Sequence, residues 1–168
     1  VESMVRDSIA AHYPEHAVLG EEHGYRAGAS GSGVRWIVDP IDGTNSFGRG
    51  IPVWATLIAC EVDGTSVIGV ASAPALGTRW WAGRGLGAYR SILPSTPKTG
   101  GPHEGEPIHV SSIARIEDSQ LLYGSFRLSF EAWNGRLVDV LRSSWRARSF
   151  SDFWGHCLVA EGSAEAMI

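Results

Sequence analysis

Apolar residues occur along this chain in short runs broken by glycine, proline and charged side chains, the pattern of a protein built from many strands and a few helices. Val1, Met4, Val5 and Ile9 recur at helical spacing between Glu2, Arg6 and Asp7, which predicts an amphipathic helix with the first four inward and the others outward. Val18-Leu19-Gly20 reads as a short strand and Val34 to Val38 as a buried one. The Gly/Ser-rich stretch Ala27 to Gly33 between them reads as a surface loop or hairpin tip that returns the chain. Further strands are predicted over Ala55 to Val62, Val67 to Ala73 and Thr78 to Ala82, with Asp63-Gly64 as a hairpin turn. Ser91 to Pro107 lacks apolar periodicity and reads as an exposed loop. A boundary near its end separates an N-terminal subdomain (1–107) from the start of a second (108–168). There we expect a strand at Leu121 to Phe126, a helix around Leu137 to Leu141, a strand at Trp145 to Phe150 and a helix at Phe153 to Glu161.

Composition narrows the functional classes. The chain has 168 residues, 43% of them hydrophobic, enough for a sizeable core, and no run approaches the ~20 apolar residues that span a bilayer. A net charge of −4, with no dense basic block, gives no attraction to nucleic acid. Cys60 in an apolar strand and Cys157 in a predicted helix read as buried thiols, so a reducing, cytoplasmic setting is expected. His12, His16, His23, His103, His109 and His156 show no metal-binding spacing and are read as structural or surface residues. Trp36, Trp80 and Trp81 are expected in the core.

Chemistry concentrates in Asp39-Pro40-Ile41-Asp42-Gly43-Thr44. Pro40 lacks an amide hydrogen, so the chain is expected to turn there and leave both aspartates at the carboxyl end of a strand, where open α/β sheets place ligands. Neighbouring carboxylates raise each other's pKa unless a cation neutralises them, and hard divalent ions suit oxygen donors. Gly43 permits close backbone approach, and Thr44, Asn45 and Ser46 are placed to open a helix whose free amides hold a phosphate. Glu21 and Glu22 form a second acidic cluster, and the returning loop would bring Glu21 to face Asp39.

Gly20-Glu21-Glu22, Trp36-Ile37-Val38 running into the hexapeptide, and Ser46-Phe47 resemble the inositol monophosphatase superfamily of metal-dependent, lithium-sensitive phosphatases. Gly85-Leu86-Gly87-Ala88-Tyr89 and Cys157-Leu158-Val159-Ala160-Glu161-Gly162 fall where that family has a Gly-x-Gly-Ala-aromatic turn and a Leu-Val-Ala helix. Arg49 to Ala59, Ala73 to Trp81 and Ser151-Asp152-Phe153-Trp154 are most similar to its histidinol-phosphate phosphatase branch. The resemblance implies the layered α+β (α/β) sandwich of the inositol monophosphatase and fructose-1,6-bisphosphatase type. It also implies a fragment: the family's first helix would precede Val1, and a Trp-Asp motif supplying a further metal-binding aspartate would follow Ile168.

By the same resemblance, Glu21, Asp39 and the Ile41 carbonyl hold one cation, and Asp39 bridges to a second that Asp42 also binds. Thr44 and Glu21 orient the attacking water, and the Gly43 and Thr44 amides hold the phosphate. An all-oxygen donor set implies two or three Mg2+ ions, with Mn2+ as the alternative. Asp152, Trp154 and Trp54 are candidate substrate contacts, Asp152 being equally readable as a helix N-cap and Trp54 as a core residue. The implied activity is hydrolysis of a small phosphate monoester: histidinol phosphate first, then inositol phosphate, then a sugar bisphosphate or 3′-phosphoadenosine phosphate. The implied assembly is a homodimer. An inactive binding or regulatory relative is the reading of another class.

Overall fold

The computed structural model describes residues 1–92, 105–125, 127, 131, 136–150 and 152–168, which divide into two units, Val1–Pro107 and Ile108–Ile168. The first unit begins with α1 (Glu2–His12), β1 (Ala17–Gly20), β2 (Gly24–Arg26), β3 (Val34–Asp42) and the single-turn helix α2 (Thr44–Gly48). It continues with β4 (Ala55–Val62), β5 (Thr65–Ala73), β6 (Thr78–Gly83), β7 (Gly87–Ile92) and β8 (Glu106–Ile108). The eight strands form one sheet in the order β2-β1-β3-β4-β5-β6-β7-β8. From β3 to β7 it is an antiparallel meander, and its tight turns are local in origin. The β4–β5 turn places Asp63 and Gly64 at φ of 50° and 77°, the left-handed pair that Asp-Gly favours.

The parallel pair β1/β3 interrupts the meander, with Gly20 opposite Val38. The expected hairpin tip therefore lies elsewhere. Residues 21–23 make the tight return into antiparallel β2, and the Gly/Ser stretch carries the chain back to start β3 alongside β1. β3 also differs from expectation, because it runs through Pro40 to Asp42. A register shift against β4 between Asp39 and Asp42 accommodates the proline, and the β1 pairing has ended at Val38. The turn comes at Gly43 instead, with φ of 81°.

Ile9, Val18 and Val38, with Val5 and Trp36 against them, are the core between α1 and the sheet. The helix sits differently from its simple amphipathic reading: Glu2 is buried, whereas Val1 and Met4 are exposed. Position 2 lies on the Ile9 face by helical geometry, so the burial of its carboxylate requires polar partners. Ser91 and Ile92 end β7, and Glu106-Pro107 belong to edge strand β8, so both ends of the expected loop are paired. Pro107 is tolerated there because an edge strand has a side that needs no donor. Residues 93–104, with His103, lie outside the described residues, as do Phe126 and Ser151.

The second unit holds the parallel sheet β10-β9-β11, made of β9 (Gln120–Tyr123), β10 (Arg146–Ser149) and β11 (Ala166–Met167), with α3 (Arg136–Ser143) and α4 (Asp152–Ala160). Among its described residues Leu121, Leu122, Leu137, Phe153 and Ala164 are buried and apolar. No helix among the described residues is long and apolar enough to cross a membrane. Cys60 is buried and Cys157 half-buried, both as free thiols.

Candidate functional site

β1 and β3 run side by side in the same direction, so their carboxyl ends open at the same edge of the sheet. Glu21 is the first residue past β1, and its backbone N–H donates to the Val38 carbonyl at 3.1 Å, one residue before Asp39. That bond sets Glu21 beside Asp39. The two carboxyl groups come within hydrogen-bonding range, and Asp42 adds its charge from the end of β3. Burial first, then the Glu21 charge, push the Asp39 carboxyl up to about 6, against a lowering contribution from the Ile41 amide. That amide donates to Asp39 Oδ1 at 3.0 Å and closes the bulge over the proline.

Two hydroxyls hold the same turn. Thr44 Oγ1 donates to the Ile41 carbonyl at 3.0 Å, and Thr56 Oγ1, reaching from β4, donates to the Pro40 carbonyl at 2.9 Å. Gly43, left-handed at φ 81° and ψ 35°, starts the short helix α2, whose first bond runs from the Phe47 amide to the Gly43 carbonyl at 2.9 Å. A side chain at that backbone angle would be strained. Trp54 is half-buried and meets Phe47 edge-on, with ring centroids 5.0 Å apart, so it packs against α2 beside the turn.

The first unit thus brings Glu21, Asp39, Ile41, Asp42, Gly43, Thr44 and Trp54 to one end of the sheet. Asp152 and Trp154 belong to the second unit. Asp152 heads α4 with a left-handed φ of 58°, which Asp adopts more readily than most residues, and Trp154 lies 4.9 Å from the Phe150 ring between centroids. Two positions apart on a helix, their side chains leave it in different directions.

The donor set suits a hard cation. Among the described residues no three His, Cys, Asp or Glu side chains are grouped so as to hold a metal ion. What the site offers is a facing carboxylate pair and a third acidic charge, with Asp39 strained upward in pKa, which a divalent ion would relieve. Two residues escaped the sequence reading. Thr56 lay within the family-like stretch Arg49 to Ala59 but was not singled out, and the signal for Glu2 was that it shares the Ile9 face of α1 and pairs with Arg6 at i+4.

The model of the inositol monophosphatase family matches residues 1–168. Among curated relatives, a histidinol-phosphatase of Mycobacterium tuberculosis is 44% identical over 98% of this chain and 60% of its own length. One of Streptomyces coelicolor is 40% identical over 98% of this chain and 59% of its own length. Among solved structures, the extragenic suppressor protein suhB of Bartonella henselae superposes with a TM-score of 0.81 at 28% identity, covering 99% of this chain and 60% of that one. The fold is therefore the layered α+β type expected, and the chain spans about 60% of the length of these relatives.

Proposed function

The chain belongs to the inositol monophosphatase family, and from that premise we propose that the protein is a magnesium-dependent phosphate monoester hydrolase whose substrate is histidinol phosphate. The observation that carries the hydrolase reading is the facing pair Glu21 and Asp39 at the carboxyl ends of parallel neighbours β1 and β3, with the charge of Asp42 added and Asp39 pushed up to about 6. The identity of 44% and 40% to two histidinol-phosphatases supports the substrate.

In this reading Glu21, Asp39, Asp42 and the Ile41 carbonyl hold Mg2+, with Mn2+ as a substitute. When bound, the cations supply charge stabilisation to the phosphoryl oxygens and acidify water. The protein's own groups do the rest. Glu21 and the Thr44 hydroxyl, now on the Ile41 carbonyl, orient the attacking water. The Gly43 and Thr44 amides hold the phosphate oxygens at a turn that only glycine's freedom allows. Thr56, fixed to the Pro40 carbonyl, keeps the bulge in register. Asp152 would pair with the ammonium of the substrate, and Trp154 or Trp54 would offer a flat face to its imidazole. The family resemblance also supports a homodimer, and two free thiols support a reducing, cytoplasmic setting.

The test is a substrate panel on the full-length protein and its Asp152→Asn variant. Chelation should abolish turnover and Mg2+ restore it. Loss of a charge-assisted contact, about 1.5–3 kcal/mol, should lower kcat/KM for histidinol phosphate ten- to a hundredfold and leave an aryl phosphate nearly unchanged. Full activity in chelator would overturn the metal reading. Preference for inositol phosphate, or equal losses on all substrates, would overturn the substrate reading alone.

A further inference from the structure

Glu2 is 3% exposed, and none of the motifs that carry the functional reading includes it. A buried carboxylate is costly unless it is paired and fully hydrogen-bonded, and Glu2 meets both conditions. Its Oε2 accepts the Glu22 backbone N–H at 2.9 Å, and its Oε1 accepts the His23 backbone N–H at 3.2 Å and Arg6 Nε at 2.7 Å. The His23 ring Nδ1 lies 3.2 Å from the same oxygen. Arg6 in turn donates through Nη2 to the Gly24 carbonyl. Burial alone would raise the Glu2 carboxyl, but the Glu22 amide, Arg6 and the His23 amide bring it down to about 2, so it is an anion at neutral pH. A Cβ on Gly20 would press on the Glu2 carboxylate, so the glycine immediately before Glu21 leaves room for it.

All of these contacts fall on one tight turn. Upstream, the Glu21 amide is tied to the Val38 carbonyl; downstream, the Glu22 and His23 amides are tied to Glu2, and Gly24 is tied to Arg6. Glu21 is therefore clamped on both sides. An apolar residue at position 2 would complete the Ile9 and Val5 face more cheaply than an ion pair. The pair's contribution is to the turn rather than to the core.

We infer that Glu2, matched by Arg6, is a positioning residue for the metal centre: its carboxylate clamps the turn over residues 21–23 so that Glu21 stays opposite Asp39. The inference rests on the reading of Glu21 and Asp39 as cation ligands. Groups that orient a ligand from behind typically contribute ten- to a hundredfold to metal affinity.

The experiment titrates the full-length protein with Mn2+ alone, without substrate, following free Mn2+ by electron paramagnetic resonance, for wild type, Glu2→Gln, Glu21→Gln and the double variant. Glutamine keeps the volume but turns an N–H donor toward an N–H donor, breaking the clamp without a cavity. Glu2→Gln is expected to raise the Mn2+ Kd ten- to a hundredfold, and to add almost nothing once Glu21 is already glutamine. Arg6→Lys, which keeps the charge but shortens the reach to Gly24, should raise it about threefold or more and carries the test if Glu2→Gln fails to fold. A purely structural role would lower urea stability with the Kd of the folded protein unmoved, or with losses that add in the double variant; either result overturns the inference. If Glu21→Gln itself leaves the Kd unchanged, the metal reading fails first.

Discussion

Removing the charge of Asp39 should stabilise the protein while it is free of metal, although the same change abolishes the function proposed for it. Asp39 is half-buried, faces Glu21 and feels Asp42, and these effects lift its carboxyl from an ordinary 3.8 to about 6. At 1.36 kcal/mol per pH unit the rise corresponds at most to ~3 kcal/mol, and solvent screening of a site this open reduces it to about 1 kcal/mol. Asp39→Asn keeps the acceptor for the Ile41 amide and removes only the charge. The sign follows from linkage: an acid whose folded pKa is raised favours the native state below its unfolded pKa, and that contribution is lost as pH rises through the folded value. In chelator at pH 7.5, Asp39→Asn should therefore exceed wild type by about 1 kcal/mol, roughly 2–4 °C in Tm. The gap should narrow as pH falls below about 6 and close only below the unfolded value of 3.8. Saturating Mg2+ should reverse the order, since a ligand at a hundred times its Kd adds ~2.7 kcal/mol that the variant forgoes. Urea unfolding followed by the fluorescence of the seven tryptophans reads all three conditions. A variant no more stable than wild type in chelator, or a gap indifferent to pH, would refute the reasoning.

Thr44→Ala should lower kcat about a hundredfold while the Mn2+ Kd moves less than about threefold, because every carboxylate remains; equal losses in kinetics and calorimetric metal titration would assign Thr44 a purely structural part. Leu122→Ala should cost about 2–5 kcal/mol of stability in urea, since Leu122 is fully buried in the second unit. A loss near zero would mean that the second unit's core does not depend on it.

The features legible in the sequence are those whose physics is local. The Asp63-Gly64 hairpin follows from two positive φ angles, and β4, β5 and β6 follow from short runs rich in β-branched, aliphatic and aromatic residues. The acidic hexapeptide is read without any fold, because two aspartates, a glycine and a hydroxyl within six residues already define an anionic, close-approach site. Short strands β2, β8 and β11 were not legible. Each has too few apolar residues to announce itself and becomes a strand through its neighbour in the sheet.

What the tertiary structure decided is which residues meet. The direction of β1 relative to β3 is a property of pairing, and it alone brings Glu21 to the side of Asp39. Pro40 read locally as a stop, yet β3 passes through it because Thr56 and the Ile41 amide hold a bulge against β4. Glu2 read as a solvated helix residue, yet it lies beneath the Glu21 turn with its charge answered by Arg6 and two amides. Sequence by itself determines backbone preferences and the kinds of chemical groups available. The distances between those groups come from partners far apart in the chain, and no local periodicity encodes them.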